Sequence, residues 1–266
     1  MTNVGFIGCG NMAGAIIGGI IKSGAVGAGD ICASDVFEAS LEKVRGAYGI
    51  GIASGNLEVA ERSDIIFLAV KPHQVAGVVR EIAPKIDGEK IVVSIAAGIG
   101  VHTLEGWFGK PVKLVRLMPN TPALVNEGMF AVCPNALVGE AELAAVLNLL
   151  SGLGRCEVVP ESLMDAVVAV SGSGPAYVYI FIEALADAAV LEGMPRNLAY
   201  TFAAQTVLGG AKMVLESAKH PGELKDMVCS PGGTTIEAVA VLEARGFRSA
   251  VIEAARACAA RNRKLG

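Results

Sequence analysis

Val4-Gly5-Phe6-Ile7-Gly8-Cys9-Gly10-Asn11-Met12-Ala13 opens the chain with a short apolar run and a glycine-rich turn, and an apolar stretch through Ala15, Ile16, Ile17, Ile20 and Ile21 follows. The order strand, turn, helix gives the G-x-G-x-x-A spacing its meaning. Gly8 allows the tight turn, Gly10 lets a pyrophosphate approach the backbone, and Ala13 permits close packing of helix on strand. A second apolar run, Ile31-Cys32-Ala33-Ser34, ends at Asp35, where the adenosine ribose is expected. An acid at this place accepts the ribose hydroxyls of NAD and repels the extra phosphate of NADP, or else is a solvated turn residue. Ser34 and, if the next loop folds back, Asn56 are able to donate to that phosphate.

The alternation of strand and helix continues outward from this unit. Asp64 to Val70 is a continuous apolar run, as in a parallel strand covered on both faces, and it ends in Lys71-Pro72-His73. Ile91 to Ile95 ends in Ala96-Ala97-Gly98, and Lys113 to Leu117 ends in Met118-Pro119-Asn120-Thr121-Pro122. Ligands of open α/β sheets sit outside the carboxyl ends of the strands, so these loops are predicted to line a coenzyme. Asn120-Thr121, held between two prolines, reads equally well as a rigid turn or as part of a site. Strands over Phe130–Cys133 and Arg155–Val159, with a helix over Glu140–Leu150 between them, complete the sheet. The fold class is α/β: a Rossmann-type dinucleotide-binding domain over residues 1–160, then an all-α dimerisation and substrate-binding domain over residues 161–266.

From Glu161 onward only helical patterns remain. A helix starting at Pro175 is apolar nearly all round through Tyr177, Phe181, Leu185 and Ala188, and a helix over Arg196–Ser217 offers Ala203, Ala204, Gly209, Gly210 and Ala211 for close approach. Such helices must be enclosed by more than their own small domain. Composition agrees, since 53% of the 266 residues are hydrophobic and only 18% charged, with a mean hydropathy of +0.53. The expectation is intertwined helices from two subunits, a homodimer at least.

Other classes fit less well. A net charge of -4 without a basic cluster argues against nucleic acid. The most apolar run, Ala166 to Ile182, holds Ser171-Gly172-Ser173-Gly174-Pro175 and is bracketed by Asp165 and Glu183, so no membrane span is expected. Six cysteines without a C-x-x-C pair, and three histidines without ligand spacing, point to a reduced, cytoplasmic protein with no metal. No export signal is read at the N-terminus.

One late stretch carries a second ligand signal: Lys225-Asp226-Met227-Val228-Cys229-Ser230-Pro231-Gly232-Gly233-Thr234-Thr235-Ile236-Glu237. It reads as a helix start with Ser230 as cap and Pro231 at the first helical position. Gly232, Gly233, Thr234 and Thr235 then leave a row of backbone N–H groups among small side chains, suited to an anion. Taken alone, a plain cap is the simpler reading. No Ser-His-Asp, Cys-His or paired-carboxylate arrangement can be built from the chain, so the chemistry is left to a coenzyme.

Over essentially its full length the chain resembles the pyrroline-5-carboxylate reductase family. The resemblance is carried by Gly5-Phe6-Ile7-Gly8-Cys9-Gly10-Asn11-Met12, Ala69-Val70-Lys71-Pro72, Val93-Ser94-Ile95-Ala96-Ala97-Gly98, Met118-Pro119-Asn120-Thr121-Pro122 and Ser171 to Tyr177. It is carried most specifically by His220-Pro221-Gly222 with Leu224-Lys225-Asp226 and Ser230 to Thr235. It implies reduction of L-1-pyrroline-5-carboxylate to L-proline by NAD(P)H, the last step of proline biosynthesis. Phe6, Ile7, Gly8, Cys9, Gly10, Asn11, Met12, Ala69, Val70, Lys71, Pro72, Ala96, Ala97 and Gly98 are then on the coenzyme, with Ser34, Asp35 and Asn56 at its adenosine end. NADP(H) is the family's usual choice, and Asp35 is the local feature that favours NAD(H).

The same resemblance places the substrate carboxylate on the amides of Gly233 and Thr234 and turns the Thr235 hydroxyl to the ring nitrogen. Ser230, Gly232 and Asn120 complete the substrate set, with Thr235 in the catalytic role. It also implies interlocked C-terminal helices, a ring of dimers as a larger assembly, and sites that need two chains. Two rivals stand against it. A hydroxyacid dehydrogenase of the Rossmann-plus-helices type uses a lysine after a glycine-rich helix start, and Pro175 to Ile182 holds no lysine. A non-catalytic nucleotide-binding sensor has no use for a second ligand beside the nicotinamide.

Overall fold

The computed structural model describes residues 2–264. In chain order it begins β1 (Val4–Ile7), α1 (Asn11–Ser23), β2 (Ile31–Ser34), α2 (Glu38–Tyr48), β3 (Gly51–Ile52), α3 (Asn56–Arg62) and β4 (Ile65–Leu68). It continues α4 (Pro72–Ile82), β5 (Ile91–Ser94), α5 (Val101–Phe108), β6 (Lys113–Met118), β7 (Gly128–Pro134), α6 (Glu140–Leu150) and β8 (Gly154–Val158). The helical remainder is α7 (Met164–Val167), α8 (Gly174–Leu191), α9 (Arg196–Ser217), α10 (Pro221–Met227), α11 (Thr234–Ala244) and α12 (Phe247–Asn262).

The strands form one sheet in the order β3-β2-β1-β4-β5-β6-β7-β8. All neighbours are parallel except β6 and β7. Side chains of successive strand residues point to opposite faces, and both faces are apolar. Val4 and Phe6 of β1, Ile65 and Phe67 of β4, and Ile91 and Val93 of β5 join one core with Ile16, Ile17 and Ile20 of α1. Ile7, Ile66, Leu68 and Val92 join the other, against Val59 of α3, Val75 and Val79 of α4 and Leu104 of α5. The order reverses beside β1, so β2 and β4 leave it on opposite sides and open a crevice at their carboxyl ends. The two-residue β3 escaped the sequence reading, because Gly51-Ile52 is too short to show a period.

The described residues divide into two compact units, one comprising residues 2–173 and 258–264, the other spanning Gly174–Ala257. Residues 161–173, which periodicity groups with the helices, thus pack with the sheet: Met164 is buried beside Ala131 and Cys133. Arg116, buried on β6, is ion-paired with Glu161. In the second unit only Ala186, Ala199 and Ala203 form a fully buried cluster, where α8 lies on α9. In the same unit Ile180, Phe202, Leu215, Val241 and Ile252 are exposed in the single chain.

Two helix starts differ from expectation. A His-Pro-Gly triplet ordinarily interrupts a helical pattern, but His220-Pro221-Gly222 begins a helix, for His220 Nδ1 accepts the Gly222 N–H at 3.1 Å and Pro221 fills the first position of α10. At α11 the cap is Gly233, three residues after the expected Ser230.

Candidate active site

The carboxyl ends of β1, β2, β4 and β5 surround a cavity of about 510 Å³, within the range of small-molecule sites. Ile7, Gly8, Gly10, Asn11, Met12, Asp35, Asn56, Ala69, Val70, Lys71, Pro72, Ala96 and Ala97 line it. Phe6, Cys9, Ser34 and Gly98 do not reach its wall. Phe6 belongs to the core, its ring stacked on Phe67 at 4.7 Å between centroids. Val36, Phe37, Ser40, Gln74 and Val78 also line the cavity and were missed. Val36 and Phe37 are 80% and 67% exposed. Two apolar residues directly after an acidic strand end were the available signal for them.

The glycine turn is built for close approach. Gly8 has a φ of 101°, and a Cβ there would lie 2.6 Å from the Ala69 carbonyl oxygen, so no other residue fits. A Cβ at Gly10 would meet nothing within 4 Å. That open space, at the positive end of α1, fits the pyrophosphate of a dinucleotide. Along the opposite wall Pro72 starts α4, and Gln74 Oε1 accepts the Lys71 N–H at 3.2 Å.

Asp35 has a structural task in this turn. Its Oδ2 accepts the Cys9 N–H at 2.6 Å and its Oδ1 accepts the Phe37 N–H at 2.8 Å. The carboxylate read as a ribose acceptor therefore has its first partners in the protein's own backbone, and it ties the glycine turn to the end of β2. The Cys9 thiol, buried and second to that beside the Asp35 charge, is pushed up to about 12. It is a neutral filler, with no nucleophilic role at physiological pH.

At the adenosine end Ser34 is buried, and its hydroxyl donates to Asn56 Oδ1 at 2.8 Å. The Asn56 amide Nδ2 in turn donates to Glu81 Oε2 at 2.8 Å. Glu81, on the last turn of α4, lies twenty-five positions from Asn56. No local motif pointed to it.

In the second unit, Ser230-Pro231-Gly232-Gly233 is a type II turn. The Gly233 N–H donates to the Ser230 carbonyl at 3.0 Å, Pro231 fills the second place, and Gly232 has a φ of 67°. The carboxylate cradle is expected on the amides of Gly233 and Thr234. The Gly233 amide is already bonded, and the unpaired first-turn donors of α11 are those of Thr234, Thr235 and Ile236. Thr235 is half-buried.

Asn120 is buried in the first unit, with its amide engaged at both ends. Its Nδ2 donates to the Ser171 carbonyl at 3.0 Å and its Oδ1 accepts the Met129 N–H at 2.8 Å. These bonds fix the β6–β7 connection on Val168–Gly172, a π-helical turn of a kind frequent near functional sites. Among the described residues, no three His, Cys, Asp or Glu side chains are grouped to hold a metal.

Comparison with known proteins accords with this architecture. Residues 161–265 match the family profile for pyrroline-5-carboxylate reductase dimerisation, and residues 3–98 match one described as NADP oxidoreductase, coenzyme F420-dependent. The pyrroline-5-carboxylate reductase of Escherichia coli K12 is 55% identical over 265 residues, covering 98% of this chain and 97% of its own. A Coxiella burnetii pyrroline-5-carboxylate reductase structure superposes with a TM-score of 0.93 at 34% identity, covering 100% of this chain and 98% of that one. The Plasmodium falciparum pyrroline carboxylate reductase, solved with NADP bound, gives a TM-score of 0.89 at 33% identity, covering 100% and 98%. From the glycine turn to the last helix, this chain belongs to the pyrroline-5-carboxylate reductase family.

Proposed function

We propose that the protein reduces L-1-pyrroline-5-carboxylate to L-proline with NAD(P)H, in the last step of proline biosynthesis. The observation that carries this reading is the full-length relation to reductases of that name. A bound nicotinamide supplies the hydride. Hydride and one proton add across the C=N bond, giving the secondary amine of proline and the oxidised coenzyme.

The residues of the chain have three tasks. The Gly8–Gly10 turn and the start of α1 bind the pyrophosphate, and Val36 with Phe37 offers an apolar wall to the adenine. The first-turn amides of α11, from Thr234 to Ile236, hold the substrate carboxylate. Thr235 Oγ1 accepts from the N–H of the protonated imine and so fixes the orientation of the ring. A protonated imine is already electrophilic, and placement with exclusion of water supplies most of the acceleration. Asn120 acts on this reading by shaping its loop.

NADPH is the favoured coenzyme and NADH is accepted; the P. falciparum relative has NADP bound. Residues 1–160 serve the coenzyme, and residues 161–266 serve substrate and dimerisation. The working form is a homodimer, the building block of any larger ring, with a small-molecule substrate and neither nucleic acid nor membrane as partner. Glu161–Leu191 is long and apolar enough to cross a membrane by length and composition. Against that, the charges of Glu161, Asp165 and Glu183 lie within or beside its most apolar part. A cytoplasmic location is supported by six cysteines that are all unpaired.

The decisive assay offers NADPH with pyrroline-5-carboxylate, and NADP+ with 2- and 3-hydroxy acids, to the purified protein. Loss of the NADPH absorbance with the imine alone is expected. Turnover of a hydroxy acid would favour the dehydrogenase, and silence with every substrate would favour the sensor.

A further inference from the structure

The coenzyme cleft ends in a relay whose polarity is fixed from outside the cleft. Glu81 carries a carboxylate, which only accepts, so the group of Asn56 that faces it at 2.8 Å is the amide NH2. The Asn56 oxygen is thereby turned to Ser34, whose hydroxyl must donate to it, also at 2.8 Å. Ser34 is buried, and Asn56 stands on the cavity wall. The ribose end of the site therefore meets an amide whose oxygen is occupied and which has one N–H left. A full negative charge lies one hydrogen bond behind it.

We infer that Glu81 is a specificity-determining residue, which limits the preference for a 2′-phosphorylated coenzyme by orienting Asn56 and by placing its charge behind the 2′ position. The inference rests on the coenzyme reading above. A ribose 2′-hydroxyl is neutral and both donates and accepts, so it tolerates the charge. A 2′-phosphate is dianionic and only accepts, so it is penalised by the same charge and finds a single amide N–H to receive it. Asp35 is turned toward the glycine turn, where its oxygens hold the backbone amides of Cys9 and Phe37, and its charge adds to that of Glu81 without orienting Asn56. Among the described residues Glu81 makes no other side-chain hydrogen bond, and it is exposed on α4, so its replacement leaves the fold intact.

The test is calorimetric titration of NADP+ and NAD+ into wild type, Glu81→Gln and Glu81→Lys, with melting curves as a control for folding. Glu81→Gln removes the charge while keeping an acceptor, and it raises the affinity for NADP+ relative to NAD+ by roughly five- to twentyfold. Glu81→Lys raises it further, and in both variants the gain shrinks as salt is added. An unchanged ratio in both variants, or a shift toward NAD+, overturns the role of Glu81 while leaving the coenzyme reading in place. A wild-type protein that binds neither dinucleotide overturns both.

Discussion

At the scale of single residues, two side chains separate holding the protein from handling its ligands. Asp35 uses both carboxylate oxygens on backbone amides, and charge-assisted bonds of this kind contribute on the order of 1.5–3 kcal/mol each. Asp35→Asn therefore loosens the glycine turn and weakens NADP+ and NAD+ alike, by about tenfold in a direct titration. A variant that keeps its overall affinity but changes the ratio of the two would instead make Asp35 a reader of the ribose. Thr235 belongs to the other unit. Thr235→Ala should lower kcat for the imine by roughly ten- to a hundredfold and leave the Kd for NADP+ unaltered. Equal turnover in wild type and variant would reduce the hydroxyl to a feature of the helix start.

At the scale of elements, the sheet was legible because parallel strands covered on both faces leave uninterrupted apolar runs. The runs beginning at Val4, Ile31, Asp64 and Ile91 each contain or match an observed strand, and the run from Lys113 to Leu117 stops one residue short of one. What was not legible lacked either length or locality. β3 has two residues, and α10 begins with a His-Pro-Gly triplet that reads as a breaker until His220 is seen to cap it. Ser230-Pro231 allows a cap or a type II turn, and the choice depends on the positive φ of Gly232. The site was legible where a motif is contiguous, as from Ile7 to Met12, and illegible where partners are distant in sequence, as for Asn56 with Glu81. The turn before α11 has its own test. Gly232→Ala places a Cβ at a φ of 67°, costing about 1 kcal/mol. We expect a several-fold higher KM for the imine, with coenzyme affinity unchanged; an unaltered KM would detach this turn from the substrate.

At the scale of the whole molecule, the helical unit is the part that a single chain leaves unfinished. Its three fully buried side chains are alanines, while Ile180 and Leu215 are each 67% exposed. Apolar surface of this extent is characteristic of a subunit interface, and the profile matched by residues 161–265 is that of a dimerisation domain. Light scattering should give at least a dimer for wild type. The double variant Ile180→Glu, Leu215→Glu should give a smaller species with a lower Tm, and an unchanged mass would place the interface elsewhere. On the proposed function, hydride passes from the nicotinamide to the imine carbon of a cyclic imino acid. The most direct test is turnover of pyrroline-5-carboxylate with NADPH deuterated at the transferable position of nicotinamide C4, followed by mass spectrometry and NMR of the product. L-proline carrying one deuterium at C5 is expected, whereas proline without deuterium, or no proline at all, would rule out this hydride transfer.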